Sequence, residues 1–163
     1  LVVSDGSGSD YSRACGYASV VINLKTRERK LLFGSMSNGT VNIAELMAVI
    51  QSLDYIVGMT DKKSDRSGIT KQVHVLTDSQ YCETTGNTNH GRMARRNVGV
   101  WTLFEAFARR GLCVTWHHVK RSTVGLNILC DMVSKGARKS VSSYNVDSEL
   151  SRFADLNLAD VNP

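Results

Sequence analysis

The spacing of apolar residues changes near position 42, and this change constrains the fold more than any other feature of the chain. Before it, residues 1–5, 17–24 and 31–36 are short apolar runs separated by Gly/Ser-rich or charged turns, which predicts three antiparallel strands. After it, apolar residues recur at three- and four-residue steps from Asn42 to near Gly58. That period predicts an amphipathic helix of about four turns.

The rest of the chain alternates between strand-like and helix-like patterns. The elements expected there are a strand at 73–76, a short helix to about Thr85, a helix over 98–110, a strand over 112–119 and a helix over 125–139. A polar surface loop is expected over 60–71. Strands reached through helical crossovers pair in parallel. The predicted fold class is therefore α/β, with a five-stranded mixed sheet of three antiparallel strands and then parallel additions, flanked by helices.

Charge divides the chain into two parts. Residues 140–163 carry a net charge of −3 and residues 1–139 carry +8, which gives the whole chain its net charge of +5. We interpret 1–139 as one catalytic domain of ordinary size and 140–163 as an acidic C-terminal extension. A basic body is typical of proteins that bind nucleic acid, although a positive balance also aids solubility alone.

Cysteine usage and hydropathy indicate an intracellular, cytoplasmic protein. The four cysteines are scattered without a CxxC pair, which favours reduced, mostly buried thiols over disulfides or a zinc site. No apolar run reaches the length of a transmembrane helix, so no membrane association is expected. The first residues, LVVSDG, do not resemble a secretory signal and lack an initiator Met. The chain is therefore either processed or part of a longer polypeptide.

Four acidic residues each begin or end an element of the predicted sheet: Asp5, Glu45, Asp78 and Asp131. Each has an ordinary explanation when taken alone, because Asp is common in Gly turns and at helix starts. Glu45 in particular stands three residues after Asn42, the spacing of a capping box. Asp131 lies four residues after Asn127, on the same face of its helix.

Together, the four acids favour a metal site. Carboxylates gathered at one edge of a sheet repel one another unless a cation lies among them. Mg²⁺ prefers oxygen ligands, and two such ions about 3.5–4 Å apart can promote an in-line phosphoryl displacement. The pattern therefore indicates a divalent-metal phosphoryl-transfer enzyme.

The motifs SDGS, NIAEL and TDSQY, followed by Asn127 with Asp131, resemble those of type 1 ribonuclease H over residues 1–139. The resemblance implies that Asp5, Glu45, Asp78 and Asp131 are catalytic and bind two Mg²⁺ ions, with Mn²⁺ as a substitute. It also implies an endonuclease that hydrolyses the RNA strand of RNA/DNA hybrids and leaves 5′-phosphate and 3′-hydroxyl ends.

The same resemblance implies a set of substrate contacts. The expected positions are Gly6, Asn42 and Gln80 along the RNA strand, Thr40 in a pocket for a DNA phosphate, and Asn127 beside the acids. Lys120 and Arg121 precede the last helix, next to the expected site. The sequence HGRMARRN, which stands where the family has a longer basic protrusion, adds Arg92, Arg95 and Arg96. Arginine and lysine there would contact phosphates.

One departure from the family leaves alternatives open. The family commonly has a His in the loop before the last helix, and this chain has Ser122 and Thr123 there. A nucleic-acid-binding module with little or no catalysis, and a related nuclease acting on DNA junctions, are the alternatives. The chain is expected to act as a monomer or as the ribonuclease H domain of a larger protein such as a reverse transcriptase.

Overall fold

The structure, a computed structural model, describes residues 1–8, 14–61, 70–88 and 96–139. The elements in chain order are β1 (Val2–Gly8), β2 (Cys15–Ile22), β3 (Arg29–Met36), α1 (Val41–Asp61), β4 (Lys71–Thr77), α2 (Gln80–Asn87), α3 (Val98–Arg109), β5 (Leu112–His118) and α4 (Gly125–Lys139). The strands form one sheet in the order β3-β2-β1-β4-β5. The first three pair antiparallel, and β4 and β5 join in parallel. The predicted α/β mixed sheet is confirmed.

Most predicted boundaries differ from the structure by a few residues, and several strands extend further than their apolar runs because backbone pairing does not depend on apolar side chains. The first strand was expected to end at Asp5, but β1 continues to Gly8, where it pairs with Cys15 of β2. Helix α1 begins at Val41 and runs to Asp61, beyond the expected end near Gly58.

The predicted capping box at the start of α1 is wrong. The hydroxyl of Thr40, rather than the side chain of Asn42, accepts a hydrogen bond from the backbone N–H of Ile43 at 3.3 Å. The Thr40 carbonyl also accepts from Ala44 N at 2.9 Å. A Thr40 cap places Glu45 in the second turn of α1, where it no longer serves the helix end.

The apolar core lies on both faces of the sheet. Val2 belongs to a buried cluster with α1, α3 and the tryptophans, whereas its neighbour Val3 belongs to a second cluster with α4. Successive residues of a strand point to opposite faces, so β1 is covered from both sides. This central, buried strand is the one that carries Asp5.

By length and composition alone, α1 would be able to cross a membrane. In the fold it is a core helix, since Leu46, Val49 and Leu53 are completely buried. Its apolar character is therefore accounted for by packing against the sheet.

Two close backbone contacts fix the helices on the sheet. A Cβ atom on Gly6 would lie 2.4 Å from the backbone nitrogen of Glu45, and one on Gly16 would lie 2.0 Å from the Ser134 carbonyl oxygen. Only glycine allows backbones to approach this closely. The first contact joins β1 to α1, and the second joins β2 to α4.

The two parts of the sheet share a short junction. β1 and β4 are paired at three positions, which end with Ser4 opposite Thr77. By contrast, β4 and β5 are paired along seven positions, from Lys71 opposite Leu112 to Thr77 opposite His118. Asp5 and Asp78 are the residues that directly follow the last pair of the short junction.

All four cysteines lie in the described residues, and no disulfide joins any two of them. Cys15, Cys82 and Cys130 are buried, and Cys113 is partly buried. Their burial agrees with the expectation of mostly buried thiols.

Candidate active site

Three of the four acids meet at one edge of the sheet. Asp5 lies within β1, Glu45 in the second turn of α1, and Asp78 directly after β4. One carboxylate oxygen from each lies within 4.8 Å of the other two. Three elements that are distant in the sequence therefore bring their carboxylates to one point, as the sequence predicted.

The Asp78 carboxylate is available to this site because its neighbours Thr77 and Ser79 accept hydrogen bonds from backbone N–H groups at the start of α2. The Ser79 hydroxyl accepts a hydrogen bond from Cys82 N at 3.3 Å and is the helix cap. The Thr77 hydroxyl accepts one from Ser79 N at 3.1 Å. With those donors satisfied, the Asp78 carboxylate is not needed as a cap.

Asp131 lies at the outer side of the cluster and is bound by cations. Lys135, one turn further along α4, places its Nζ 2.6 Å from Asp131 Oδ2. The Arg121 guanidinium lies between two acids, with Nη2 3.7 Å from Asp131 Oδ1 and Nε 3.4 Å from Asp78 Oδ2. Asp131 thus lies near Asp5 and shares Arg121 with Asp78, and it is paired with two cationic side chains of the protein.

The start of α4 is tied to β1 by two buried hydrogen bonds. Asn127 Nδ2 donates to the Ser4 carbonyl at 3.3 Å, and the Cys130 thiol donates to the Val3 carbonyl at 3.3 Å. Asn127 is 1% exposed. This position differs from the substrate contact expected for Asn127, and the bond instead sets the position of α4, and with it Asp131, relative to Asp5.

Burial and mutual repulsion shift the inner acids toward their neutral forms. Burial raises the pKa of Asp5 to about 8, and the nearby carboxylates of Asp78 and Asp131 act in the same direction. Burial also raises the pKa of Glu45 well above its usual range, with Asp5 and Asp78 adding to the effect, while a hydrogen bond from the Gly6 backbone opposes it.

The donor set fits a hard divalent cation. Among the described residues, both carboxyl oxygens of Asp5 and Oε2 of Glu45 are buried without a hydrogen-bond partner. Buried oxygens of this kind are costly unless something compensates them. A Mg²⁺ or Mn²⁺ ion would supply that compensation, and oxygen-only ligation is what these ions prefer.

The residues expected to contact substrate surround this cluster in part. Gly6 is buried against α1, Asn42 is half-buried in its first turn, and Gln80 is exposed at the first residue of α2. Thr40 is exposed, and its hydroxyl serves as the α1 cap.

The basic residues differ in how closely they approach the acids. Lys120 and Arg121 are exposed in the turn before α4, and Arg121 reaches the acids directly. Arg96 is exposed, and its carbonyl accepts a hydrogen bond from the Tyr81 hydroxyl at 3.2 Å. Arg92 and Arg95 lie outside the described residues, as do most of the predicted 60–71 loop and the extension 140–163.

The loop before α4 forms a tight turn. Ser122 adopts a positive φ of 60°, and the Thr123 hydroxyl donates to the Lys120 carbonyl. His117, in the preceding strand, points to another partner, with its Nε2 2.9 Å from His74 Nδ1 across β4 and β5. Arg121 is therefore the side chain of this loop that contacts the acids.

Sequence reasoning missed Lys135 as part of the site. Its signal was present, because an Asp and a Lys four residues apart on a helix are neighbours. The contacts of Arg121 had no such signal, since they depend on how the turn folds back over Asp78 and Asp131.

The chain matches a ribonuclease family model, and its fold matches known structures of that family. The RNase H family model matches residues 1–139. An RNase H1 called LC11, isolated from compost by a metagenomic approach, superposes with a TM-score of 0.67 at 18% identity, over 87% of this chain and 96% of its own. The structure of LC11-RNase H1 in complex with an RNA/DNA hybrid gives 0.70 at 17% identity, over 87% and 98%.

Another neighbour is the N-terminal RNase H domain of Rv2228c from Mycobacterium tuberculosis, solved as a fusion with maltose-binding protein. It has a TM-score of 0.63 and 19% identity over 93% of this chain and 96% of that one. No curated protein sequence matches the chain. At these identities the neighbours show the fold, while the family model covers most of the chain. The chain therefore belongs to the RNase H family of ribonucleases.

Proposed function

We propose that this protein is a metal-dependent endonuclease that hydrolyses the RNA strand of RNA/DNA hybrids and leaves 5′-phosphate and 3′-hydroxyl ends. The observation that carries the proposal is the meeting of Asp5, Glu45 and Asp78 within 4.8 Å, with buried carboxyl oxygens that have no partner among the described residues. Family membership and the hybrid complex of LC11-RNase H1 support the choice of substrate.

In this reaction Asp5, Glu45, Asp78 and Asp131 hold two Mg²⁺ ions, for which Mn²⁺ can substitute. When bound, such ions activate a water molecule and stabilise the leaving oxygen. The protein contributes the fixed positions of its carboxylates, since close backbone contact and buried hydrogen bonds hold the elements that carry them. Preorganised carboxylates of this kind need no rearrangement as the reaction proceeds.

Polar groups near the cluster would position the hybrid. Gln80 and Asn42 lie on the helices next to Asp78 and Glu45, where amide groups can contact bases and 2′-hydroxyls of the RNA strand. Lys120 and Arg121 are exposed in the turn before α4 and suit phosphate contacts.

A second candidate is a binding module that keeps the fold but cuts poorly. The observation that favours it is the tight turn at Ser122 and Thr123, which presents Arg121 rather than an imidazole to the acids. Without a loop His to transfer a proton or assist release, turnover would be slow even with the acids in place.

A substrate panel tests both candidates. Hybrid, double-stranded RNA, double-stranded DNA and four-way junctions are digested with Mg²⁺ or Mn²⁺, with and without EDTA. We expect the hybrid alone to be cut, with loss of cutting in EDTA and in Asp78→Asn. Asp54→Asn, an exposed acid on α1, is the matched control and should cut normally. Salt-sensitive hybrid binding without cutting would favour the module, and cutting of junctions would change the substrate class.

A further inference from the structure

We propose that Arg121 and Lys135 are internal counter-ions of the acidic cluster, which hold Asp131 and the outer side of Asp78 until a divalent ion displaces them. The inference rests on the proposed function, because it concerns the same metal site. It assigns to Arg121 a role in controlling ion binding in addition to any contact with substrate.

The first observation is the unequal distribution of positive charge over the four acids. Asp131 contacts both cations, at 2.6 Å from Lys135 and 3.7 Å from Arg121, and Asp78 contacts Arg121 at 3.4 Å. The carboxyl oxygens of Asp5 have no partner among the described residues. The site is thus divided into an inner part with unpaired oxygens and an outer part whose charge is already balanced.

The second observation is that both cationic side chains are far more exposed to solvent than the acids they contact. The Arg121 side chain is 69% exposed and that of Lys135 is 49% exposed, whereas the side chains of Asp78 and Asp131 are 8% and 24% exposed. Solvent-exposed ion pairs are weak, about 0.2–1 kcal/mol, and the exposure of both cations brings these pairs toward that range. A divalent ion can therefore displace these side chains, but its binding is weakened by their competition.

The geometry also assigns an order of binding. The first ion takes the inner acids Asp5, Glu45 and Asp78, whose oxygens already lie within 4.8 Å of one another. Recruitment of Asp131 then requires Lys135 and Arg121 to move. A phosphate backbone arriving at the site offers Arg121 another anion, so substrate and the outer ion favour each other's binding.

The test is Mn²⁺ binding without substrate, measured by calorimetry and by the electron paramagnetic resonance signal of free Mn²⁺. We expect the double variant Arg121→Gln with Lys135→Gln to bind Mn²⁺ about 5- to 10-fold more tightly than the wild type, because two nearby positive charges are removed. Lys139→Gln is the matched control, since it removes an exposed positive charge one turn beyond Lys135 on α4. We expect it to change the affinity less than about twofold, because exposed charges at a greater distance are screened.

The outcomes separate this inference from the proposed function. Equal Mn²⁺ affinity in the wild type and the double variant, or an equal gain in Lys139→Gln, overturns the counter-ion role and leaves the metal site standing. Absence of binding in both the wild type and the double variant overturns the metal site as well. Urea unfolding of each variant in EDTA identifies any loss of folding, and Arg121→Lys, which keeps the charge, should retain wild-type affinity within about threefold.

Discussion

Replacing Asp5 by Asn removes a buried carboxyl group whose pKa is raised from 3.8 to about 8. Between those values the folded protein keeps a proton that the unfolded chain has lost. The contribution of protonated Asp5 to the free energy of unfolding is therefore fully present below about pH 3.8 and is lost as the pH rises toward 8. The Asn variant has no such proton, so this part of its pH dependence disappears.

The magnitude follows from the number of protons. One proton retained on folding lowers the free energy of unfolding by about 1.4 kcal/mol for each pH unit. From pH 5 to pH 7, the metal-free wild type should therefore lose about 3 kcal/mol relative to Asp5→Asn. The raised pKa of Glu45 acts in the same direction, and removal of Asp5 relieves part of it as well.

The assay is urea unfolding at pH 5, 6 and 7 in EDTA, followed by the fluorescence of Trp101 and Trp116. Asp54→Asn removes an exposed acid from α1 and serves as the control, which should follow the wild type at each pH. Parallel pH profiles for the wild type and Asp5→Asn would refute the reasoning, because they would mean that Asp5 folds in its charged form.

Three further predictions concern proton release, packing and a half-buried hydroxyl. Mn²⁺ binding at pH 7 should release protons, because the ion binds the carboxylate form of Asp5 and this group is mostly protonated at that pH. Calorimetry in buffers of different ionisation enthalpy counts the released protons, and a count of zero contradicts the raised pKa. Gly16→Ala should destabilise the protein by about 2–3 kcal/mol through its contact with α4. Gly58→Ala, where a new methyl group meets nothing within 4 Å, should stabilise it by about 0.5–1 kcal/mol. Urea unfolding compares these two variants, and equal stabilities would show that α4 yields without cost. Tyr81→Phe should lower the free energy of unfolding by about 1–3 kcal/mol, because the Tyr81 hydroxyl accepts a hydrogen bond from Trp101 Nε1 at 3.0 Å. The Mn²⁺ affinity of this variant should stay at the wild-type value, and a large change would mean that the hydroxyl also supports the proposed metal site.

The sheet and its order could be predicted because hydrophobic period and connection type are local properties of the sequence. The boundaries were less accessible. The stretch after Asp5 resembles a turn by composition, yet its backbone continues in β1 because β2 supplies hydrogen-bond partners as far as Cys15. The start of α1 was assigned to Asn42 because both Thr40 and Asn42 are good caps, and only the structure distinguishes them.

The acids of the site were predictable from their positions at the ends of elements, but their energetics were not. Nothing in the sequence shows that Asp5 and Glu45 are almost completely buried while Asp131 is paired with two cations. Those differences arise from packing between distant segments. They decide which carboxyl groups are protonated and which are already neutralised by the protein.

The proposed metal site lies at the end of the short junction between β1 and β4, so a bound ion would also hold the sheet together there. Asp5 and Glu45 lie on β1 and α1, and Asp131 lies on α4, which is tied to β1. Asp78 follows β4, on the other side of the junction. An ion bound by all four would fasten the two parts together just where their strands cease to pair. Amide hydrogen exchange along Ser4 and Thr77 should then slow more on metal binding than exchange at the β3 edge of the sheet. Neither part alone carries a complete site, so cutting would be a property of the joined sheet rather than of either half.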